Sequence, residues 1–209
     1  MSKKEQILEA AEALFAEHGY EGTSVRALAR EAKVNIAMIS YYFGSKEKLF
    51  EALIKFRTSY LREKFQGLNK DIHDPIKRLE MFVEIYVDRI FAQPKFLRII
   101  YRQISLKNRS EINEVLVNIL MKNVEEVRKM IRDGVKKKVF RNSDVDLLIT
   151  SLFGTTFQIA HSSLLTSKLL GWPLGKFSMN NEKLKTRLKS YLKDLIKRYL
   201  LIQTDKKNY

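Results

Sequence analysis

Between Thr23 and Lys48 the chain collects groups that can hold anions and touch flat polar edges. Thr23 and Ser24 are good helix N-cap types, and they precede Val25, Leu28 and Ala29 at helical spacing. Asn35 is an equivalent cap for a second short helix, Ile36 to about Tyr42. Ile39 and Phe43, four apart, can share a core with Leu28 and Val34, which leaves Ala37, Ser40 and Tyr41 on the opposite face. Gly44 ends the second helix, Ser45 caps the next, and Lys46 follows. Two short helices joined by a tight turn, then an aromatic pair and a capped lysine, form a unit that can place one helix in a DNA major groove. Phosphate-binding groups then surround that helix.

No comparable grouping supports covalent chemistry. The sequence has no hydrolase nucleophile elbow, no phosphate-cradling glycine loop and no paired metal-ligand motif. Its three histidines, His18, His73 and His161, are far apart. His18 precedes Gly19 at a helix end, where a cation is favoured. With no Cys there is no disulfide, thiol nucleophile or thiolate metal site. No catalytic residue, cofactor or metal is therefore expected.

The elements that position this unit are helical throughout. A first helix, about Lys4 to His18, carries Ile7, Leu8, Ala11, Leu14 and Phe15 on one face. Ser45 opens a long helix through Leu49, Phe50, Leu53 and Phe65, followed by a polar break from Gly67 to Asp74. Pro75 and Pro94 start the next two helices, and Ser110 caps one that reaches about Lys138. Ser143 or Asp144 caps a weakly charged helix, Val145 to about Leu165. A loop follows from Leu169 to Met179, and Asn180 or Asn181 opens the last helix. Without strand alternation or internal repeats, the expectation is an all-α fold of about nine helices.

A chain of 209 residues can bury one or two real cores. No apolar run approaches the roughly 20 residues that span a bilayer, and no secretory h-region follows Met1-Ser2-Lys3-Lys4. A cytoplasmic protein with no membrane partner is expected. The net charge is +15, yet residues 1–48 hold seven basic and seven acidic side chains and sum to zero. The basic excess lies in Lys136-Lys137-Lys138 and along the last helix, where it reads as a solvated face that adds salt-sensitive nonspecific attraction to DNA. The DNA reading rests on the unit, not on the charge.

The stretch resembles the N-terminal domain of the TetR family of bacterial repressors. The likeness begins at Ile7-Leu8-Glu9-Ala10-Ala11 and Leu14-Phe15, continues through Gly19-Tyr20-Glu21-Gly22-Thr23-Ser24, and ends at Tyr42-Phe43-Gly44-Ser45-Lys46-Glu47-Lys48-Leu49. It covers about a quarter of the chain. Two positions depart from the pattern. Lys33 stands where the family has a turn Gly, which requires a positive φ, and Ser40 stands where it often has Tyr. The resemblance implies a three-helix helix-turn-helix DNA-binding domain at 1–48 and a helical effector-binding and dimerisation domain at 49–209. It implies phosphate contacts from Thr23 or Ser24, Tyr42 and Lys46, with Arg26, Ile36, Ala37, Met38 and Tyr41 at or beside base-facing positions. Asn35 and Ser40 complete the set. Lacking Arg, Lys, Asn and Gln from Ile36 to Tyr42, the helix should use apolar contact, with thymine methyl groups as candidates, and Arg26 for a guanine.

For the second domain the resemblance implies a small-molecule pocket. Tyr86, Phe96, Tyr101, Leu120, Phe153 and Phe157 would supply a hydrophobic lining, and Gln158, His161 or Arg102 would meet a polar end. Leu148, Ser151, Leu152 and Thr155 would join Leu188, Leu192, Leu195 and Tyr199 in a homodimer interface. The whole is then a homodimeric repressor, released from a pseudo-palindromic operator by a hydrophobic ligand. A same-fold regulator without an effector, and a helical enzyme acting on a small apolar molecule, are the alternatives.

Overall fold

A computed structural model describes residues 2–105, 111–161, 163–172 and 181–202, without the side chains of His161 and Ser163. Ten helices form among them: α1 Lys3–His18, α2 Val25–Glu31, α3 Ile36–Phe43, α4 Lys46–Asp71, α5 Pro75–Ala92, α6 Pro94–Ile104, α7 Glu111–Lys136, α8 Val145–His161, α9 Ser163–Leu170 and α10 Glu182–Leu200. The all-α expectation holds. One helix more than expected arises because the run from Val145 divides near His161 instead of continuing to Leu165. The polar break expected from Gly67 is also shorter, because α4 continues to Asp71. The proposed Ser110 cap and the 173–180 part of the expected loop lie outside the described residues.

The described chain forms two compact units: residues 1–60 with 93–122, and residues 61–92 with 123–209. In the first, α1 starts at a capping box. The Ser2 hydroxyl accepts from the Glu5 N–H at 3.2 Å, and the Ser2 N–H donates to the Glu5 carboxylate at 2.8 Å. Ile7, Ala11 and Phe15 are fully buried against Leu28, Ile39, Leu49, Phe50 and Leu53. Phe15, Tyr20 and Phe50 meet with ring centroids 5.1–5.7 Å apart. The core extends to Phe96, Ile99 and Ile100 of α6, so α6 packs on α1.

In the second unit α5 lies along α10. Leu79, Phe82, Val83 and Val87 of α5 are buried, as are Leu184, Leu188, Leu192, Ile196 and Leu200 of α10. Beside this seam runs a ladder of ion pairs: Lys197 with Glu80 at 2.5 Å, Lys193 with Glu84 at 2.5 Å, Lys189 with Glu84 and Asp88 at 2.6 and 2.8 Å, and Lys185 with Asp88 at 2.9 Å. The basic face of the last helix is thus partly satisfied within the chain. Gly134 is required here, because a Cβ would lie 2.0 Å from the Phe140 ring.

Candidate nucleic-acid interface

The site is built on helix starts. Ser24 caps α2, and its Oγ accepts from the Ala27 N–H at 3.1 Å. That bond occupies a lone pair and leaves the hydroxyl proton free for an anion. Thr23 differs. It is 2% exposed, and its Oγ1 donates to the Gly19 carbonyl at 2.7 Å with the Leu14 carbonyl at 3.3 Å. Its single proton serves the loop between α1 and α2, so Ser24 is the outward-facing member of the expected pair.

Lys33 makes the turn between α2 and α3 with φ 51°, the conformation for which the family uses Gly. Asn35 then caps α3, its Oδ1 accepting from the Ala37 N–H at 3.0 Å. Ile39 is buried at 1% exposure and pins the inner face of the helix. Outward stand Ile36, Ala37, Ser40, Tyr41 and Tyr42, with Tyr41 at 82% exposure. The Tyr41 and Tyr42 rings pack edge to face at 5.1 Å. Met38 is only half-buried, and Arg26 is exposed on α2. A protruding helix with an uncharged, partly aromatic face suits the floor of a groove better than it suits phosphates.

Lys46 sits otherwise than a free surface cation. Its Nζ donates to the carbonyls of Tyr20 at 3.0 Å and Thr23 at 3.2 Å, and lies 4.2 Å from the centre of the Tyr20 ring. The lysine therefore ties the start of α4 to the loop that presents Ser24, with one N–H left over. Tyr20 in turn donates its hydroxyl to Glu47 at 2.8 Å. Burial, reinforced by the neighbouring carboxylate, raises the Tyr20 phenol above its ordinary value. Glu47 is held below the usual carboxylate range by its own backbone N–H, the Ser45 hydroxyl and Tyr20. Tyr20 has a place in this site that no spacing in the sequence announces, since it lies 26 positions from Lys46.

Arg102 does not stand free for a ligand head group. It donates to the Glu17 carbonyl at 3.2 Å, and a Cβ on Gly19 would lie 2.7 Å from its guanidinium. It closes the C-terminal end of α1, where carbonyls lack helical partners. Gly19 has φ 77° and ψ 171°, a region that only glycine adopts without strain.

The other expected ligand residues divide between the two units. Phe96, Tyr101 and Leu120 belong to the first, where Phe96 is core and Leu120 packs against that core. Tyr86, Phe153, Phe157, Gln158 and His161 belong to the second. There the Tyr86 ring stacks on Phe82 and meets Phe153, and its hydroxyl is 2.9 Å from Thr156 Oγ1. The side chain of His161 lies outside the described residues.

The dimer residues need correction. Leu148, Leu152, Leu188 and Leu192 are at most 4% exposed within the chain, so they fill its own core and leave little surface for a partner. Leu195 and Tyr199 are half-buried. What α8 and α10 offer to solvent is Leu147 at 63% and Tyr191 at 53% exposure, with Ser151 exposed and Thr155 half-buried. Helical spacing identified apolar faces but could not say which side of each helix its own chain covers.

Comparison with known proteins fits this geometry. Residues 7–53 match the model of the bacterial regulatory proteins of the tetR family. The YttP protein of Bacillus subtilis, named as an HTH-type transcriptional regulator, is 30% identical over 149 residues, which cover 67% of this chain and 68% of YttP. The HTH-type transcriptional repressor NicS of Pseudomonas putida is 28% identical over 151 residues, 72% of this chain and 70% of NicS. The solved structure of HlyIIR, a hemolysin II transcriptional regulator, has a TM-score of 0.66 at 28% identity, covering 92% of this chain and 97% of its own. The fold is shared with the transcriptional regulator FadR of Bacillus subtilis in complex with stearoyl-CoA, at a TM-score of 0.69, 20% identity and coverages of 90% and 96%. The capped helices that present α3, the match over residues 7–53 and the relation to YttP make this chain a member of the TetR family, a helix-turn-helix regulator of transcription.

Proposed function

We propose that the chain is a homodimeric repressor that reads a pseudo-palindromic operator and leaves it when a small hydrophobic ligand binds. The observation that carries this reading is the outer face of α3. Ile36, Ala37, Ser40 and Tyr41 project from a helix whose surroundings hold Ser24, Arg26 and the leftover N–H of Lys46. In this reading Ser24, Tyr42 and Lys46 position the phosphates, and the α3 face and Arg26 read the bases. Exposed Leu147, Ser151 and Tyr191 on α8 and α10 supply the dimer face, giving two recognition helices for two half-sites. The chain acts as a regulator and not as an enzyme, beside the DNA in the cytoplasm.

Helix α4 begins beside the DNA-reading unit and continues to Asp71, which makes it the natural lever between ligand and DNA. A ligand shifts that equilibrium only by its difference in affinity for the two states, and operator DNA must weaken the ligand by the same factor. The same fold accommodates stearoyl-CoA in FadR of Bacillus subtilis, which supports a hydrophobic effector.

The test is selection of genomic fragments by the purified protein, followed by titration of the best fragment across salt. Two similar half-sites, one or more helical turns apart, with affinity falling steeply as salt rises, are expected. Binding without sequence preference would overturn the reading. An effector found later should bind more weakly in calorimetry when operator is present; equal affinities would favour regulation without a small-molecule effector.

A further inference from the structure

Residues Gly19 to Thr23 join α1 to α2 and deliver Ser24, the outward-facing cap of α2. The loop is closely bonded to itself. Thr23 Oγ1 donates to the Gly19 carbonyl at 2.7 Å, and the Thr23 N–H donates to the Tyr20 carbonyl at 3.3 Å. At Gly22 the backbone folds so tightly onto the end of α1 that a Cβ would lie 2.5 Å from the His18 carbonyl oxygen. Such a loop moves as one body, so a shift at its first residue is carried to its last.

Two cations from outside grip it. Lys46, at the start of α4, holds the far end through the Tyr20 and Thr23 carbonyls. Arg102, on α6, holds the near end. Its Nη1 donates to the Glu17 carbonyl at 3.2 Å, and its guanidinium covers Gly19 so closely that a Cβ there would lie 2.7 Å from Nε and Cζ. The mount of Arg102 is fixed. Ile99 and Ile100 are buried in the same core as Phe15 and Leu28, and Gln103, 4% exposed, donates to Asn113 of α7 at 2.7 Å. The guanidinium itself is exposed, and an exposed cation at a helix end adds little to stability. Its effect is geometric. A hydrogen bond weakens steeply as it lengthens or bends, so the Ser24 hydroxyl can serve a phosphate only where the loop puts it.

We propose that Arg102 is a positioning residue for DNA binding: from α6 it fixes the α1–α2 loop so that Ser24 meets its phosphate in the operator. It acts through the loop and touches no DNA. The groups that set the DNA-reading surface therefore extend beyond residues 1–48 to α6, which lies in the same compact unit. The inference rests on the regulatory reading above, in which Ser24 is a phosphate contact.

The test is a double-mutant cycle on operator affinity, with the whole chain and the best selected genomic fragment. Ser24→Gly removes the hydroxyl yet leaves a residue that caps nearly as well, and it should weaken binding about tenfold. Arg102→Gln should weaken binding by a similar factor while Tm falls by no more than about 4 °C. The order of preferred bases should not change, because phosphate contacts carry no sequence information. In the Arg102→Gln background, Ser24→Gly should cost less than about twofold more, because the hydroxyl is already out of place. A residue that only stabilises the fold lowers Tm without this coupling. Losses that multiply to about a hundredfold would overturn the proposal, as would Arg102→Gln binding like wild type. Should Arg102→Gln melt below the assay temperature, Arg102→Lys takes its place in the same cycle. Wild type that binds without sequence preference overturns the regulatory reading and this inference with it. Wild type that selects an operator, with no coupling between Arg102 and Ser24, overturns the inference alone.

Discussion

Replacing Lys46 by Met removes the ammonium and keeps most of the aliphatic stem. In the free protein this deletes donations to the Tyr20 and Thr23 carbonyls at 3.0 and 3.2 Å, together with the contact to the Tyr20 ring at 4.2 Å. Hydrogen bonds from a charged donor contribute about 1.5–3 kcal/mol each when well formed. Lys46 is only half-buried, so water screens the charge and can rehydrate the two carbonyls. A loss of about 2 kcal/mol for the group as a whole is reasonable. For a chain of this size that lowers Tm by roughly 4–8 °C. Calorimetry of the protein without DNA measures it. Operator titration across salt then separates the roles: if the spare N–H also meets a phosphate, the salt slope falls by about 0.9. A Tm within about 1 °C of wild type would refute the argument that Lys46 braces the α1–α2 loop. Such a result with a reduced slope would make it a phosphate ligand alone.

Arg26→Ala should relax preference at one base position, costing about 1–3 kcal/mol there while other positions keep their order; a uniform loss across an operator library would reassign Arg26 to the backbone. Gly19→Ala places a side chain at φ 77°, which costs about 1–3 kcal/mol, and pushes the Arg102 guanidinium off α1. In a double-mutant cycle with Arg102→Ala the two losses should be less than additive, and strict additivity would mean that the close approach carries no energy. Glu84 is held below its ordinary value by Lys189 and then Lys193, so it binds its proton less readily folded than unfolded. Its contribution is complete above about pH 4.3 and is lost as pH falls through the lower folded value. Acid melting of Glu84→Gln should therefore be flatter than that of wild type, and parallel curves would count against the ladder. Tyr191→Asp, on the exposed side of α10, should give monomers in sedimentation and lose cooperative operator binding, whereas Leu192→Asp, at 0% exposure, should unfold the chain.

What the sequence determined by itself was local. Helix starts were legible because capping is a one-to-three-residue interaction, so Ser24, Asn35 and Asn181 stand where their side-chain types put them. The outer face of α3 followed in the same way from a period of 3.6, whereas the positive φ of Lys33 was expected only through the resemblance, because the family has Gly at that turn. What only the tertiary structure decided was which of several equivalent groups turns inward. Thr23 and Ser24 are alike as caps, but packing of the α1–α2 loop spends the Thr23 hydroxyl on Gly19. Lys46 and Arg102 read as free cations, yet backbone carbonyls 23 and 85 positions away claim them. On α8 and α10 the apolar stripes were visible, but α10 lies on α5 with Leu188 and Leu192 inward, which leaves Tyr191 exposed. Periodicity fixes the angle between side chains around a helix axis. It cannot fix the rotation of that axis against its neighbours, because burial of the whole core sets that rotation.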